Sequence, residues 1–273
     1  MLNGQKVFPM ENHIFDETDR RTIESFYWSF AMGQETGTRP EQQDSVGVSS
    51  GTFQGRPAML AVLADGMGGM SNGAEFSRIA VETHLREFRE KLETHDSLTD
   101  ILLALAFDAN RETFRIQNPD SPGGTTLVSA ILHEDSFSFL SVGDSRIYLL
   151  RGGRLLQLNR EHTLGPRLDE RAFLGRIPME EAKNHQSRAA LISSIGDESP
   201  YRVDFSECPV HMFAGDKLVL VSDGVYNSVS DRDLEEMLTE DPEPAKNKVL
   251  EEIKKLGLAY QDNNSILIVE KIT

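Results

Sequence analysis

Two stretches place a carboxylate at the end of an apolar run and follow it with glycine. Leu60-Ala61-Val62-Leu63-Ala64 leads into Asp65-Gly66-Met67-Gly68-Gly69, and Lys217-Leu218-Val219-Leu220-Val221-Ser222 leads into Asp223-Gly224. A carboxylate fixed at a strand end beside bare backbone carbonyls offers oxygen ligands of the kind a hard divalent cation takes. Glycine also lets other groups approach the backbone closely. An Asp-Gly pair after a strand is an ordinary turn as well, and only the recurrence of the pattern tells against that reading. Asp262 opens Asp262-Asn263-Asn264 ahead of the last apolar run, Asp44 directly precedes another, and Asp144 lies in Gly143-Asp144-Ser145-Arg146. Asp144 reads equally as an ion ligand and as a hairpin-turn residue. Strand ends along one sheet edge can converge, and clustered carboxylates repel one another unless protonated or bridged by cations. With no paired Cys-x-x-Cys and no His-Glu-x-x-His, Mg2+ or Mn2+ suits such a site better than zinc. The chain also lacks a complete dinucleotide fingerprint, a phosphate loop ending in Gly-Lys, and a Gly-x-Ser-x-Gly elbow.

The elements that must position these acids follow from periodicity. Residues 25–33 are aromatic and β-prone, and a polar loop runs from Gln34 to Asp44. Strands are expected at 45–49 and 60–64. Helices are expected at 74–92 and 98–117, each with a rough apolar stripe. Thr125–His133, Ser136–Val142, Arg146–Leu150 and Arg154–Leu158 read as four strands of an antiparallel meander. Residues 161–196 are polar with broken periodicity, a length that in a folded domain often carries function. Strands resume at 202–205 and 217–222. Ser230 caps a helix through Leu238, a further helix spans 243–256, and a strand at 265–270 closes the chain. This order suggests α+β. No linker or repeat interrupts it, so residues 1–273 are expected to form one domain with an N-terminal arm over 1–24.

The net charge of −16 over 273 residues argues against nucleic acid or an anionic membrane surface as the main partner. The single cysteine, Cys208, cannot form an internal disulfide, which fits a reducing, cytoplasmic location. The N-terminus lacks a basic segment followed by an apolar run, so no signal peptide is expected. No stretch approaches the ~18 apolar residues needed to span a bilayer.

The ordered set Arg39-x-x-x-x-Asp44, Asp65-Gly66-Met67-Gly68-Gly69, Gly124-Thr125-Thr126, Gly143-Asp144-Ser145-Arg146, Ser222-Asp223-Gly224-Val225 and Asp262-Asn263-Asn264 resembles the metal-dependent protein phosphatases, the type 2C serine/threonine phosphatases in their bacterial form. The resemblance covers roughly residues 25–270. It implies a four-layer α-β-β-α sandwich, with two antiparallel sheets between helix pairs. It further implies hydrolysis of phosphoserine and phosphothreonine in proteins, targets of a serine/threonine kinase, by a metal-activated water at a binuclear Mg2+ or Mn2+ centre. In that scheme Asp65 bridges both ions, Asp223 and Asp262 complete one, and the Gly66 carbonyl with waters completes the other. Asp44 acts through those waters, Asp144 and Asp223 hold a third, weaker ion, and Arg39 clamps the phosphate. Residues 161–196 match the family's flap.

The chain departs from the family in places. Met67 stands where animal members carry histidine, which excludes a histidine general acid there. Gln43 replaces a common glutamate before the aspartate, Glu161-His162-Thr163 replaces Asp-His-Ser, and Ala189 replaces an asparagine. Two other readings share the same residues: a phosphoprotein-binding regulatory module with little turnover, and a hydrolase of small phosphate monoesters.

Overall fold

The computed structural model describes residues 13–14, 27–68, 73–120, 122–198 and 202–273. Apart from β1 (His13–Ile14), the expected N-terminal arm lies outside the described residues, as does Gly69 of the glycine-rich motif. The chain continues through β2 (Trp28–Glu35), β3 (Asp44–Phe53), β4 (Arg56–Gly68), α1 (Gly73–Thr94), α2 (Leu98–Phe114), β5 (Gly123–Thr125), β6 (Leu127–His133), β7 (Ser136–Val142), β8 (Arg146–Arg151) and β9 (Arg154–Gln157). Then come α3 (Leu164–Phe173), α4 (Met179–Lys183), β10 (Asp204–Phe205), β11 (Val210–His211), β12 (Lys217–Val221), α5 (Asp223–Ser228), α6 (Asp231–Met237), α7 (Pro242–Leu256) and β13 (Asn264–Lys271).

The strands form two sheets. The first runs β1-β3-β4-β6-β7-β10, with β11 also on β7 and β5 on β4, and the second runs β2-β13-β12-β8-β9. Pairing is antiparallel except between β1 and β3. Alternation along the central strands sets the layers, because successive side chains point to opposite faces. In β4, Met59, Ala61 and Leu63 join Leu218, Leu220, Leu267 and Val269 of the second sheet in a core between the sheets. Ala58, Leu60, Val62 and Ala64 instead pack against Phe88 and Leu92 of α1 and Ile101, Leu102 and Leu105 of α2. The same alternation in β12 sends Val219 and Val221 outward to Val225, Leu234, Val249 and Ile253 of α5–α7. Helices, sheet, sheet and helices therefore stack as four layers. Each central strand is apolar on both faces, which is why it reads as a continuous hydrophobic run.

The meander expected over residues 125–158 is corrected here. β6 and β7 form a hairpin in the first sheet, whereas β8 pairs with β12 and β9 in the second. The chain crosses between sheets at Gly143-Asp144-Ser145. Gly143 adopts φ 101°, and a Cβ there would lie 2.7 Å from Thr126 Cγ2. Both conditions favour glycine. Thr126 breaks the expected strand 125–133 in two, and the segment over 161–196 carries two short helices instead of bare loop.

Candidate active site

The acids converge where the two sheets meet at one end. Asp44 opens β3 directly opposite Asp65 in the β3–β4 register. Asp65 does not end its strand as expected: β4 continues through Gly68, and Gly66 to Gly68 pair with β5. Thr125 and Thr126 hold the Asp65 backbone from both sides. Asp65 N–H donates to Thr126 Oγ1 at 2.9 Å, and its carbonyl accepts from Thr126 N at 2.8 Å and Thr125 Oγ1 at 2.9 Å. Gly66 is required sterically, since a Cβ would lie 2.0 Å from Gly73 O and 2.6 Å from Gln43 O.

Asp44 is 1% exposed and sits beneath the site instead of on its wall. Ser222 and Ser265, both from the second sheet's side, donate to Asp44 Oδ2 at 2.8 and 2.6 Å. Gln34 donates to Ser265 Oγ at 2.9 Å and to the Asp44 carbonyl at 3.1 Å. These bonds tie the two sheets together below the carboxylates. Asp223 occupies the first turn of α5, a helix absent from the sequence reading, with Ser222 extended before it.

Arg39, Asp65, Gly66, Asp144, Asp223 and Asp262 line one cleft of about 230 Å³, together with Gln43, Met67, Thr126, Leu191 and Asn263. Five of the six predicted metal positions and the predicted phosphate arginine thus share one wall. Arg39 Nη2 donates to Asp262 Oδ2 at 2.7 Å. That bond raises the Arg39 pKa, with the Asp262 charge adding to it. Asp144 lies beside Tyr226, whose hydroxyl donates to the Asp144 carbonyl at 3.2 Å; the Arg146 guanidinium stacks 3.6 Å from the Tyr226 ring centroid.

Burial and mutual repulsion hold Asp44, Asp65, Asp144 and Asp223 above the usual carboxylate range. Desolvation is the largest cause at each. Asp44 is pushed to about 7, the bonds from Ser265 and Ser222 resisting. Asp65 rises well above the carboxylate range, with the charges of Asp44, Asp223, Asp144 and Asp262 adding to burial. Asp144 reaches about 7 and Asp223 about 6, driven after desolvation by Asp223 and Asp262 respectively. Such a set is an all-oxygen, anionic cradle whose ionised form calls for positive charge, and it fits hard divalent cations. Among the described residues, no three acidic, histidine or cysteine side chains already converge on one ion. Asp262 is turned to Arg39, so sharing an ion requires side-chain rotation.

Residues 164–182 pack on a small core of their own, Leu168, Ala172 and Ala182 with Leu164 and Ile177. Arg188 forks onto Asp169 at 2.9 and 2.5 Å. Backbone bridges from Leu191 to Thr163 and from Ile195 to Thr125 join the end of this segment to the site, and Leu191 reaches the cleft wall. His162 serves the sheet crossing: its Nδ1 accepts from Gly143 N at 3.2 Å.

The supports Gln34, Ser222, Ser265 and Asn263 were not assigned from sequence. Ser222 and Asn263 each adjoin a predicted acid, and that adjacency is the signal that could have found them.

Comparison with known proteins bears on the family and the fold. Residues 39–253 match the family model described as Protein phosphatase 2C. A serine/threonine phosphatase, stp, of Listeria monocytogenes is 31% identical over 229 residues, covering 82% of this chain and 89% of that protein. The solved serine/threonine phosphatase of S. agalactiae superposes with a TM-score of 0.74 at 26% identity, covering 90% of this chain and 100% of that one. The catalytic domain of the serine/threonine protein phosphatase PstP, solved in complex with two manganese ions, gives a TM-score of 0.69 at 27% identity, covering 90% and 99%.

Proposed function

The chain belongs to the protein phosphatase 2C family, and we propose that it hydrolyses phosphoserine and phosphothreonine in proteins with Mg2+ or Mn2+ bound in the cleft. The observation that carries this reading is the gathering of Asp65, Asp144, Asp223 and Asp262 with Arg39 in one cleft. Asp65, Asp223, Asp262 and the Gly66 carbonyl would hold two core ions, with Asp144 and Asp223 holding a third and Asp44 acting from below. When bound, the cations supply screening of phosphate charge and a water acidic enough to attack near neutral pH.

The chain's own residues do the rest. Arg39 presents a planar fork to two phosphate oxygens, a geometry and charge that persist at any working pH. Ser222, Ser265 and Gln34 fix Asp44, and Thr125 and Thr126 fix the Asp65 backbone, so these two acids are held in place before charge develops. Among the described residues no cysteine, serine or histidine stands on the cleft wall as an alternative nucleophile. The substrates would be proteins phosphorylated by a serine/threonine kinase. No helix among the described residues is long and apolar enough to cross a membrane. A Mn2+-supported assay on a phosphothreonine peptide beside small phosphate esters tests the reading; selective turnover of the peptide supports it, and hydrolysis of the small esters alone rejects it.

A further inference from the structure

We infer that Asn263 is a positioning residue for Arg39, acting by tying down the loop that carries the arginine; this rests on Arg39 being the phosphate clamp. Residues 36–43 between β2 and β3 have no regular structure, so their backbone groups find partners elsewhere. Asn263 supplies them. Its side chain is buried at 4% exposure. Nδ2 donates to Thr36 O at 2.9 Å and Glu41 O at 3.1 Å, while Oδ1 accepts from Gln43 N at 2.8 Å. The partners force the amide's orientation, since two carbonyls need the NH2 and one N–H needs the oxygen. One side chain thus holds the loop on both sides of Arg39.

A second clasp works from the same strand entry. Thr38 N donates to Gln261 O at 2.9 Å, and Gln261 N donates to Thr38 Oγ1 at 2.9 Å. Gly37, at φ 64°, lets the loop press so close that a Cβ would lie 2.3 Å from Asp262 O. The segment 261–263 therefore carries one cleft acid and also sets where Arg39 stands relative to it. An arginine on an untethered loop would lose freedom on each binding event, which weakens the contact it makes. Aspartate at 263 would repel the two carbonyls, and serine would not span to all three partners.

The test is calorimetric titration of the whole chain in Mn2+ buffer with inorganic phosphate, for Asn263→Ala, Arg39→Ala and the double variant. Asn263→Ala is expected to weaken phosphate binding roughly ten- to a hundredfold, with Mn2+ affinity unchanged. The double variant should bind no more weakly than Arg39→Ala alone, because both changes remove one contact. On a phosphothreonine peptide KM should rise in the same proportion. Wild-type phosphate affinity in Asn263→Ala, multiplied losses in the double variant, or a parallel fall in Mn2+ affinity each overturns the inference. If Asn263→Ala does not fold, Thr38→Val, which removes the hydroxyl half of the second clasp and keeps the backbone bond to Gln261, is read by the same criteria. If the chain hydrolyses no phosphopeptide yet the phosphate affinities fall together, the proposed function fails and the positioning role stands.

Discussion

Arg39 Nη2 and Asp262 Oδ2 are bonded to each other at 2.7 Å, although we assign the arginine to phosphate and the carboxylate to a cation. Their side chains are 57% and 38% exposed, and an exposed pair of this kind contributes about 0–1 kcal/mol. Exchanging partners therefore costs little, and the bond pre-sets the arginine at the cleft mouth.

Arg39→Ala should accordingly leave the melting temperature nearly unchanged and act on substrate binding. The non-reacting phosphate oxygens carry charge in both ground and transition states, so the contact is uniform binding, which acts on KM. Loss of a charge-assisted contact of about 1.5–3 kcal/mol corresponds to a KM increase of roughly ten- to a hundredfold, with kcat little altered. Lysine should restore part, offering a point charge in place of a fork. Steady-state kinetics on a phosphothreonine peptide check this; an unchanged KM rejects the clamp.

Asp144→Ala should leave two core Mn2+ ions bound and slow turnover of phosphopeptides. Asp144 enters the cleft from the sheet crossing, apart from the β4 and α5 segments that carry Asp65 and Asp223. Calorimetric Mn2+ stoichiometry beside turnover reads this directly. Loss of the core pair would mean that Asp144 belongs to it.

His84, fully buried in α1, has its pKa lowered to about 4, chiefly by desolvation, with its Nδ1 3.0 Å from Ala80 O. The unfolded chain takes up this proton near pH 6.5 and the folded chain only near 4. Its contribution to stability is therefore present above about pH 6.5 and lost as pH falls towards about 4, of order 3 kcal/mol in full. The stability difference between wild type and His84→Leu, measured by denaturant unfolding from pH 7.5 to 4, should change by about that amount, wild type losing more on acidification. A pH-independent difference contradicts the assignment.

Gly66→Ala should cost about 2 kcal/mol or more, since the added Cβ meets the Gly73 and Gln43 carbonyls. Thermal unfolding measures it, and a variant as stable as wild type would show that the β4–α1 approach is loose.

Much of the site was legible because its chemistry is written locally. An apolar run that stops at Asp-Gly twice, at Asp65 and Asp223, marks both acids, and the six ordered motifs carried the architecture. Sheet membership was not legible: β6, β7 and β8 are all largely buried runs, and nothing in such a run says which sheet it joins. Only Gly143, with its positive φ, marks the crossing. The depth of Asp44 was hidden for a related reason, since Ser222 and Ser265 reach it from residues 178 and 221 positions away. The helices α3 and α4 escaped because their core is only a few side chains, too few to set a clear period.

The central claim is that cations held by these carboxylates are required for phosphate-ester hydrolysis. The most direct measurement is turnover of a phosphothreonine peptide by the purified chain in EDTA, then after restoring excess Mn2+, with Asp223→Asn run alongside. The account expects turnover to vanish with chelation, to return with Mn2+, and to stay orders of magnitude lower in Asp223→Asn at any Mn2+ concentration. Undiminished turnover in EDTA would contradict it.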